Sequence, residues 1–209
     1  ANIASGNSFA RNKLGCGAAS AKIISFTRMP LDPISSPSLD PKYTCFRLRI
    51  GPSKIHRFGV YAEEPIPANR KVIEYTGERI NRKETKRRGL GDVTYLFTLD
   101  DYWTIDGSVG GSGAEIINHS CEPNVISRIM KGHIIYMSLR EIEPGEELLV
   151  DYNFTYTGDK SRCACGAGSC RGVMERLTPK LKRELEKEKA ARSRKPQAAP
   201  KTKRAAAAL

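Results

Sequence analysis

The 209-residue sequence lacks long hydrophobic runs, and none approaches the about 18 apolar residues of a membrane-spanning helix. Its amino terminus also lacks the basic and then apolar pattern of a secretory signal. We therefore expect an intracellular protein with no membrane association, and we expect a monomer. Hydrophobic residues make up 39% of the chain, which fits a globular centre with polar ends rather than a disordered chain. The length predicts one domain plus tails, with enough residues to bury a core.

The positive charge is unevenly distributed along the chain. The net charge is +12, and residues 175–209 alone hold 12 Lys or Arg and 4 Glu, a net charge of +8. A basic tail favours an acidic polymer, most simply nucleic acid, as a partner. A solvated tail that aids solubility explains the same charge equally well, so both interpretations stay open.

Composition divides the chain into regions. Residues 1–44 are rich in Ser, Pro, Gly and Ala and are expected to form a linker-like extension, with Cys16 as a free thiol. Residues 45–156 carry the pattern of a folded domain, and residues 157–174 contain clustered cysteines. Residues 175–209 are expected to be a basic helix followed by a disordered tail.

Many short apolar stretches at close spacing predict a mostly-β fold. Strands are predicted at residues 46–50, 59–62, 71–75, 95–99, 103–106, 115–117, 133–139 and 147–152. A charged helix is predicted over 81–88, capped by Asn81 and ended by Gly89. A second helix is predicted from Thr178, as its N-cap, to about Arg192.

Two stretches contain the residues best suited to chemistry. Residues 115–124 are Glu-Ile-Ile-Asn-His-Ser-Cys-Glu-Pro-Asn, an apolar strand followed by polar groups and a thiol. Residues 147–152 are Glu-Leu-Leu-Val-Asp-Tyr, an apolar strand that ends in a carboxylate and a phenol. The sequence Phe-Gly-Val-Tyr lies upstream at 58–61, and Cys-Ala-Cys-Gly-Ala-Gly-Ser-Cys lies downstream at 163–170. In this order and spacing, the four motifs resemble the SET-domain protein lysine methyltransferases over roughly residues 45–174.

The resemblance implies a fold of small curved sheets around a knot-like crossing (a pseudoknot) of the C-terminal segment. It also implies a SET domain at 45–156, a zinc-binding post-SET segment at 157–174, S-adenosylmethionine as methyl donor and a lysine of a basic protein as substrate. Histone is the leading substrate class.

The clustered cysteines predict a metal site in a reducing compartment rather than a disulfide framework. Cys163, Cys165 and Cys170 offer three thiolates, whereas a structural zinc site takes four ligands. Cys45 and Cys121 are the candidates for the fourth ligand. The resemblance implies Cys121, which directly follows Asn-His-Ser.

For the methyl donor, the resemblance implies a site formed by Phe58, Gly59, Tyr95, Asn118 and His119. The chain departs from the family pattern twice. Family members usually carry Gly-x-Gly before the strand at residue 60, and here Arg57 replaces the first glycine. They commonly carry Arg where this chain has Glu115, on a side expected to be exposed.

For the substrate lysine, the resemblance implies Tyr152 and Tyr75 as catalytic residues, with Val150 and Phe154 in the substrate channel. A free lysine amine has a pKa near ~10.4, and a dry channel beside a positive sulfur would lower it. The Tyr152 hydroxyl would then orient the neutral amine. Val150 is smaller than the aromatic residue common in the family and has no hydroxyl, so di- or trimethylation is sterically allowed.

Two alternatives remain open from the sequence. Arg57 and Glu115 favour a catalytically weak, SET-like zinc scaffold that binds nucleic acid through its tail. A methyltransferase of a non-histone basic protein fits the same motifs. The expected location is the nucleus, on chromatin, if the source is eukaryotic, and the cytoplasm if it is bacterial.

Overall fold

The computed structural model describes residue 34, residues 36–91 and residues 94–193 of the chain. The predictions for Cys16, for most of residues 1–44 and for the tail beyond residue 193 lie outside these described residues. The described strands are β1 (Leu48–Pro52), β2 (Phe58–Ala62), β3 (Lys71–Tyr75), β4 (Glu78–Asn81), β5 (Leu96–Thr98), β6 (Trp103–Asp106), β7 (Asn118–His119), β8 (Val125–Met130), β9 (His133–Ser138) and β10 (Leu149–Val150). The described helices are α1 (Arg82–Arg88), α2 (Pro179–Ser193) and the 3-10 helices Pro41–Tyr43 and Ala114–Ile116.

The described residues form three small sheets, so the predicted mostly-β class is confirmed. Strands β1 and β2 form an antiparallel pair, and β4, β6 and β5 form an antiparallel sheet in that order. The largest sheet has the order β3-β9-β8-β10-β7. In this sheet β10 lies between β8 and β7 and is parallel to both, although β7 and β8 are neighbours in the chain. This insertion is a crossing of the C-terminal segment of the kind that the resemblance implies.

The core brings the two motif stretches together. Ile117 and Leu148 expose 1% and 0% of their surface, and each is followed by a strand of the central crossing. Burying these side chains stabilises the fold by roughly 2 kcal/mol each. Their burial fixes where β7 and β10 begin. The polar residues Asn118 and His119 are consequently held at the edge of an apolar core, with 5% and 3% exposure.

The helices form where their capping residues predict. The Asn81 side chain accepts hydrogen bonds from the backbone of Lys83 and Glu84, and α1 ends at Gly89. At the start of α2, Thr178 Oγ1 accepts from the Leu181 N–H at 3.2 Å. Among the described residues, neither helix is long and apolar enough to cross a membrane.

The structure corrects several predicted strands. Residues 115–117 were predicted as a strand, but Ala114–Ile116 is a 3-10 helix, because Gly113 turns the chain with a φ of +96°. The strand predicted over 147–152 is limited to Leu149–Val150, because its partner β7 is only two residues long. Strands β4 and β8 were not predicted, since their exposed positions interrupt the apolar alternation.

Candidate active site and metal centre

Tyr152, at the end of the crossing strand, is held by two hydrogen bonds. Its hydroxyl donates to the Ile117 carbonyl at 3.0 Å, and its backbone N–H donates to His119 Nδ1 at 3.2 Å. The residue exposes 36% of its surface, but its hydroxyl is surrounded by protein, and burial raises the pKa of Tyr152 to about 12. The phenol is therefore protonated at neutral pH and acts as a hydrogen-bond donor.

His119 connects Tyr152 with Cys121. Because His119 Nδ1 accepts the Tyr152 N–H, its proton lies on Nε2, which is 3.6 Å from the sulfur of Cys121. Burial lowers the pKa of His119, with Arg171 acting in the same direction and Asp151 opposing it. The imidazole is therefore neutral, and its short approach to Asp151 is not an ion pair.

Asn118 has a fixed orientation. Its Nδ2 donates to the Phe58 carbonyl at 2.8 Å and to Glu147 Oε1 at 2.9 Å. Both partners are acceptors, so the amide nitrogen must face them and the amide oxygen points the other way. The oxygen is thereby left as the hydrogen-bond acceptor of this side chain. The Tyr61 hydroxyl lies 3.3 Å from Glu147 Oε2, but it donates to the closer Pro52 carbonyl at 2.6 Å.

Gly59 is required by this arrangement. A Cβ atom at position 59 would lie 2.7 Å from Cδ of Glu147, closer than any side chain tolerates. The role of Glu147 could not be predicted from the sequence, because a glutamate beside a turn is most often a solvated residue. The preceding Arg57 has a φ of +36°, in the left-handed region that favours glycine. Its side chain lies over the Phe58 ring, with the guanidinium carbon 5.7 Å from the ring centroid.

Tyr75 belongs to a buried aromatic cluster. Its hydroxyl donates to the Tyr95 carbonyl at 2.6 Å, which brings these two predicted site residues together. The centroid of its ring lies 5.4 Å from that of Phe97 and 6.3 Å from that of Tyr136. Burial raises the pKa of Tyr75. Sequence reasoning missed Phe97 and Tyr136, since an aromatic residue in a strand is indistinguishable from ordinary core.

The two predicted channel residues have different surroundings. Val150 is buried, with 3% exposure, and lies opposite His119 in the parallel register. Phe154 is 42% exposed, and its ring centroid lies 5.3 Å from that of Tyr152. Phe154 therefore covers one side of the Tyr152 ring, whereas Val150 is part of the core beneath the site.

The sequence predicted that Glu115 lies on an exposed side, and this prediction is wrong. It is half-buried under the glycine-rich loop, and its Oε2 accepts from the Gly113 N–H at 2.9 Å. A Cβ atom at Gly111 would lie 2.5 Å from Cδ of Glu115, so the loop can cover the carboxyl only because it has no side chain there. Burial raises the pKa of Glu115 to about 7. The 3-10 helix causes the difference, because it turns the side chain towards the loop.

A group of four thiols could hold a metal ion. The sulfur atoms of Cys121, Cys163, Cys165 and Cys170 all lie within 4.8 Å of one another. The sulfur of Cys121 is 3.8 Å from that of Cys163 and 3.9 Å from that of Cys170. Tetrahedral zinc, with Zn–S bonds of about 2.3 Å, places its sulfur ligands about 3.8 Å apart. The four residues therefore fit this ion. The other candidate, Cys45, is exposed and lies outside the group.

Backbone N–H groups lie close to two of the four sulfur atoms, whereas burial raises the pKa of the Cys121 and Cys163 thiols. The Cys121 N–H lies 3.5 Å from the Cys165 sulfur, and the Gly172 N–H lies 3.4 Å from the Cys170 sulfur. Burial opposes ionisation of Cys165, but hydrogen bonds from the Cys121 and Ala167 backbone and from neighbouring thiols outweigh it. The pKa of Cys165 is lowered to about 6. The donor set is suited to a soft cation.

Comparison with known proteins identifies the domain. Residues 57–153 match the SET domain family, so the chain contains a SET domain. The match includes the strand with Gly59, the Asn118–His119 strand and Tyr152.

Relatives with a similar sequence carry histone methyltransferase names. The chain is 43% identical over 139 residues to "Histone-lysine N-methyltransferase, H3 lysine-4 specific" of Schizosaccharomyces pombe. It is 41% identical over 139 residues to "Histone H3-lysine(4) N-trimethyltransferase ATX1" of Arabidopsis thaliana, and 40% identical over 130 residues to "Histone-lysine N-methyltransferase trithorax" of Drosophila melanogaster. These alignments cover 61%, 61% and 57% of this chain but only 15%, 13% and 3% of the relatives.

Proposed function

We propose that the protein is an S-adenosylmethionine-dependent protein-lysine N-methyltransferase that acts on a histone, with lysine 4 of histone H3 as the leading target. The SET domain and the names of its relatives support this proposal. The observation that carries it is the placement of the Tyr152 hydroxyl, 3.0 Å from the Ile117 carbonyl and directly beside the Asn118–His119 strand. A nuclear, chromatin-associated location follows if the source is eukaryotic.

The residues around Asn118 are suited to hold the methyl donor. S-adenosylmethionine supplies a methyl group on a positively charged sulfur. The Asn118 amide oxygen can accept a hydrogen bond from the donor's ammonium group, since the amide nitrogen is held by Phe58 and Glu147. Gly59 leaves room for the Glu147 carboxyl group that holds Asn118, and His119 and Tyr95 complete the proposed site.

Tyr152 is proposed as the residue that positions the substrate amine. Its pKa of about 12 keeps the phenol neutral, so it orients groups by hydrogen bonding and does not take the lysine proton in the ground state. The lysine must arrive neutral, and its proton leaves to water. Tyr75, fixed by its hydrogen bond to the Tyr95 carbonyl, is proposed to shape the channel together with Phe154.

The product is proposed to include di- and trimethyl-lysine. Val150 lies in the core beneath the site and has neither a hydroxyl nor the volume of an aromatic residue, so it does not crowd a methylated amine above it. The trimethyltransferase name of the Arabidopsis relative supports the same product.

Zinc is the proposed metal, and residues 157–174 are the proposed post-SET segment. The thiols of Cys163, Cys165 and Cys170 come from this segment, whereas Cys121 comes from the SET domain. A bound ion would therefore fasten the segment beside the strand end that carries Tyr152.

The direct test is incubation with S-adenosylmethionine and intact histones, beside a Tyr152→Phe variant, with methyl-lysine detected by mass spectrometry. Tyr152-dependent methylation is expected, and a bulk lysate in a parallel reaction identifies any non-histone basic substrate. If metal-loaded, folded protein methylates nothing in either mixture, the proposal is wrong. A weakly catalytic scaffold then becomes the better interpretation.

The second candidate function is nucleic-acid binding through α2, which one observation favours. Glu184 and Glu188 are engaged by Tyr156 and Lys160, and Leu181 is fully buried. Two of its three acidic residues are therefore paired with groups of the preceding segment. Within residues 179–191, the exposed cations of the helix are Lys180, Lys182, Arg183, Lys187 and Lys189.

Binding of a DNA duplex, measured by fluorescence anisotropy against salt concentration, tests this candidate. Replacing Lys182 and Lys187 with Gln should weaken binding and reduce its salt dependence. The matched control replaces Lys83 and Lys86 of α1, which are also exposed. Equal effects of the two double variants would exclude a specific role for α2.

A further inference from the structure

Arg171 and Asp151 join the cysteine-containing segment to the strand end that carries Tyr152. Arg171 Nη1 donates to Asp151 Oδ2 at 2.8 Å, and Nη2 donates to Oδ1 at 2.6 Å. The two side chains expose only 14% and 21% of their surface. Two parallel, shielded hydrogen bonds fix the direction of both groups as well as their distance.

The same guanidinium holds a second point of the contact. Arg171 Nη2 also donates to the Met174 carbonyl at 3.1 Å, and that carbonyl accepts the Phe154 N–H at 3.3 Å. The Phe154 carbonyl in turn accepts the Arg176 N–H at 2.9 Å. Arg171 therefore fastens both sides of a short pairing between residues 151–154 and 171–176.

The contact between Arg171 and Asp151 matters because each residue is the sequence neighbour of a predicted site residue. Arg171 follows Cys170 of the thiol group, and Asp151 precedes Tyr152. A shift of the Asp151 backbone would move the Tyr152 N–H away from His119 and the phenol away from the Ile117 carbonyl. The geometry of the phenol thus depends on a residue outside the SET match at 57–153.

We propose that Arg171 is a positioning residue for methyl transfer, which acts through Asp151 on the direction of the Tyr152 hydroxyl. This inference rests on the proposed methyltransferase function. The cysteine-containing segment (residues 157–174) then has a second role besides metal binding, because the contact between Arg171 and Asp151 involves no thiol. A lysine cannot perform it, because one ammonium does not span both carboxylate oxygens and the Met174 carbonyl in one plane.

The test compares Arg171→Lys with Arg176→Lys, a change at an exposed arginine of the stretch 171–176. Hydrogen–deuterium exchange of residues 150–156, metal content, and kcat and KM for the donor and for a histone H3 peptide are measured on the full chain. For Arg171→Lys we expect faster exchange in 150–156, unchanged metal content and donor KM, and a kcat lower by about tenfold. Arg176→Lys should match the unmodified protein in all of them.

Asp151→Asn provides a second, independent variant, because it keeps the shape of the partner and weakens the same contact. The double variant should be no worse than the single variants, since both remove one interaction. Additive losses, or an Arg171→Lys variant with unchanged exchange and kcat, would overturn the inference. Loss of metal from Arg171→Lys would also overturn it, because the role would then be structural.

If the proposed methyltransferase function is wrong, the experiment gives a different result from the one expected if only the role of Arg171 is wrong. If the unmodified protein methylates nothing, the methyltransferase proposal is wrong, while the exchange of residues 150–156 still decides whether Arg171 orders the Tyr152 region.

Discussion

The Glu147 carboxyl group fills the space in which a side chain at Gly59 would begin, since a Cβ atom there would lie 2.7 Å from Cδ of Glu147. The same carboxylate accepts the Asn118 amide at 2.9 Å. Displacing Glu147 would therefore leave the Asn118 amide held by backbone carbonyls alone. Gly59 thus supports the proposed donor site indirectly, through the Glu147 carboxylate that contacts Asn118.

Gly59→Ala is expected to weaken donor binding by about tenfold, the loss of roughly one hydrogen bond to a charged group. Calorimetric titration with S-adenosylhomocysteine measures the change. The control is Gly168→Ala, where a Cβ atom would meet its nearest neighbour at 3.9 Å. Unaltered affinity in Gly59→Ala would show that the Glu147 contact does not matter for the donor.

Glu115→Gln is expected to stabilise the protein at pH 8 but not at pH 4. Burial raises the pKa of Glu115 to about 7 from its usual 4.5, so the folded state favours the protonated form. Stability from this group is complete below pH 4.5 and is lost as the pH rises towards 7. The gain should reach on the order of 2 kcal/mol at pH 8. Urea unfolding at both pH values measures it, and an equal effect at both would refute the assignment.

Arg57→Val is expected to destabilise the protein by about 1–2 kcal/mol relative to Arg57→Gly. Position 57 has a φ of +36°, a conformation that glycine adopts freely and a β-branched residue resists. Thermal unfolding of the two variants gives the comparison. Equal melting temperatures would mean that the backbone at this position relaxes without cost.

Cys170→Ser is expected to abolish stoichiometric metal binding, because its sulfur lies in the group of four thiols. Elemental analysis of the purified protein should find one zinc ion per chain before the substitution and less than one after it. Cys45→Ser is the matched control, since Cys45 is exposed and outside the group. Loss of the metal from Cys45→Ser instead would exclude this ligand set.

Val150→Tyr is expected to shift the product towards monomethyl-lysine, because the larger side chain and its hydroxyl occupy space that a methylated amine needs. Mass spectrometry at long times with excess enzyme measures the product distribution. Val150→Ala should retain the higher methylation states. The prediction fails if the unmodified protein forms only monomethyl-lysine under these conditions.

The family resemblance predicted more of the site than periodicity did. It implied Cys121 as the fourth metal ligand, which the residues alone left open between Cys45 and Cys121, and the structure brings the Cys121 sulfur beside those of Cys163, Cys165 and Cys170. Capping chemistry likewise predicted α1 and α2, because Asn81 and Thr178 act locally.

Contacts between distant residues could not be predicted in this way. Glu147 contacts Gly59, which is 88 positions away in the sequence, and Asn118, which is 29 positions away. The parallel pairing of β10 with β7 leaves no alternation to detect in a strand of two residues. Glu115 was misplaced for a related reason, since a 3-10 turn changes the side on which a residue lies.

The position of β10 in its sheet also affects how the protein folds. This strand enters between β8 and β7, which are made earlier in synthesis and are linked to each other by a short stretch of chain. Until residues 149–150 arrive, both neighbours present unpaired edges of the kind that invite association with other chains. Such long-range pairing is slow to form. Tyr152 directly follows this strand, so it is held in place only after residues 149–150 have paired, and a chain that ends before residue 149 would expose the edges of β7 and β8.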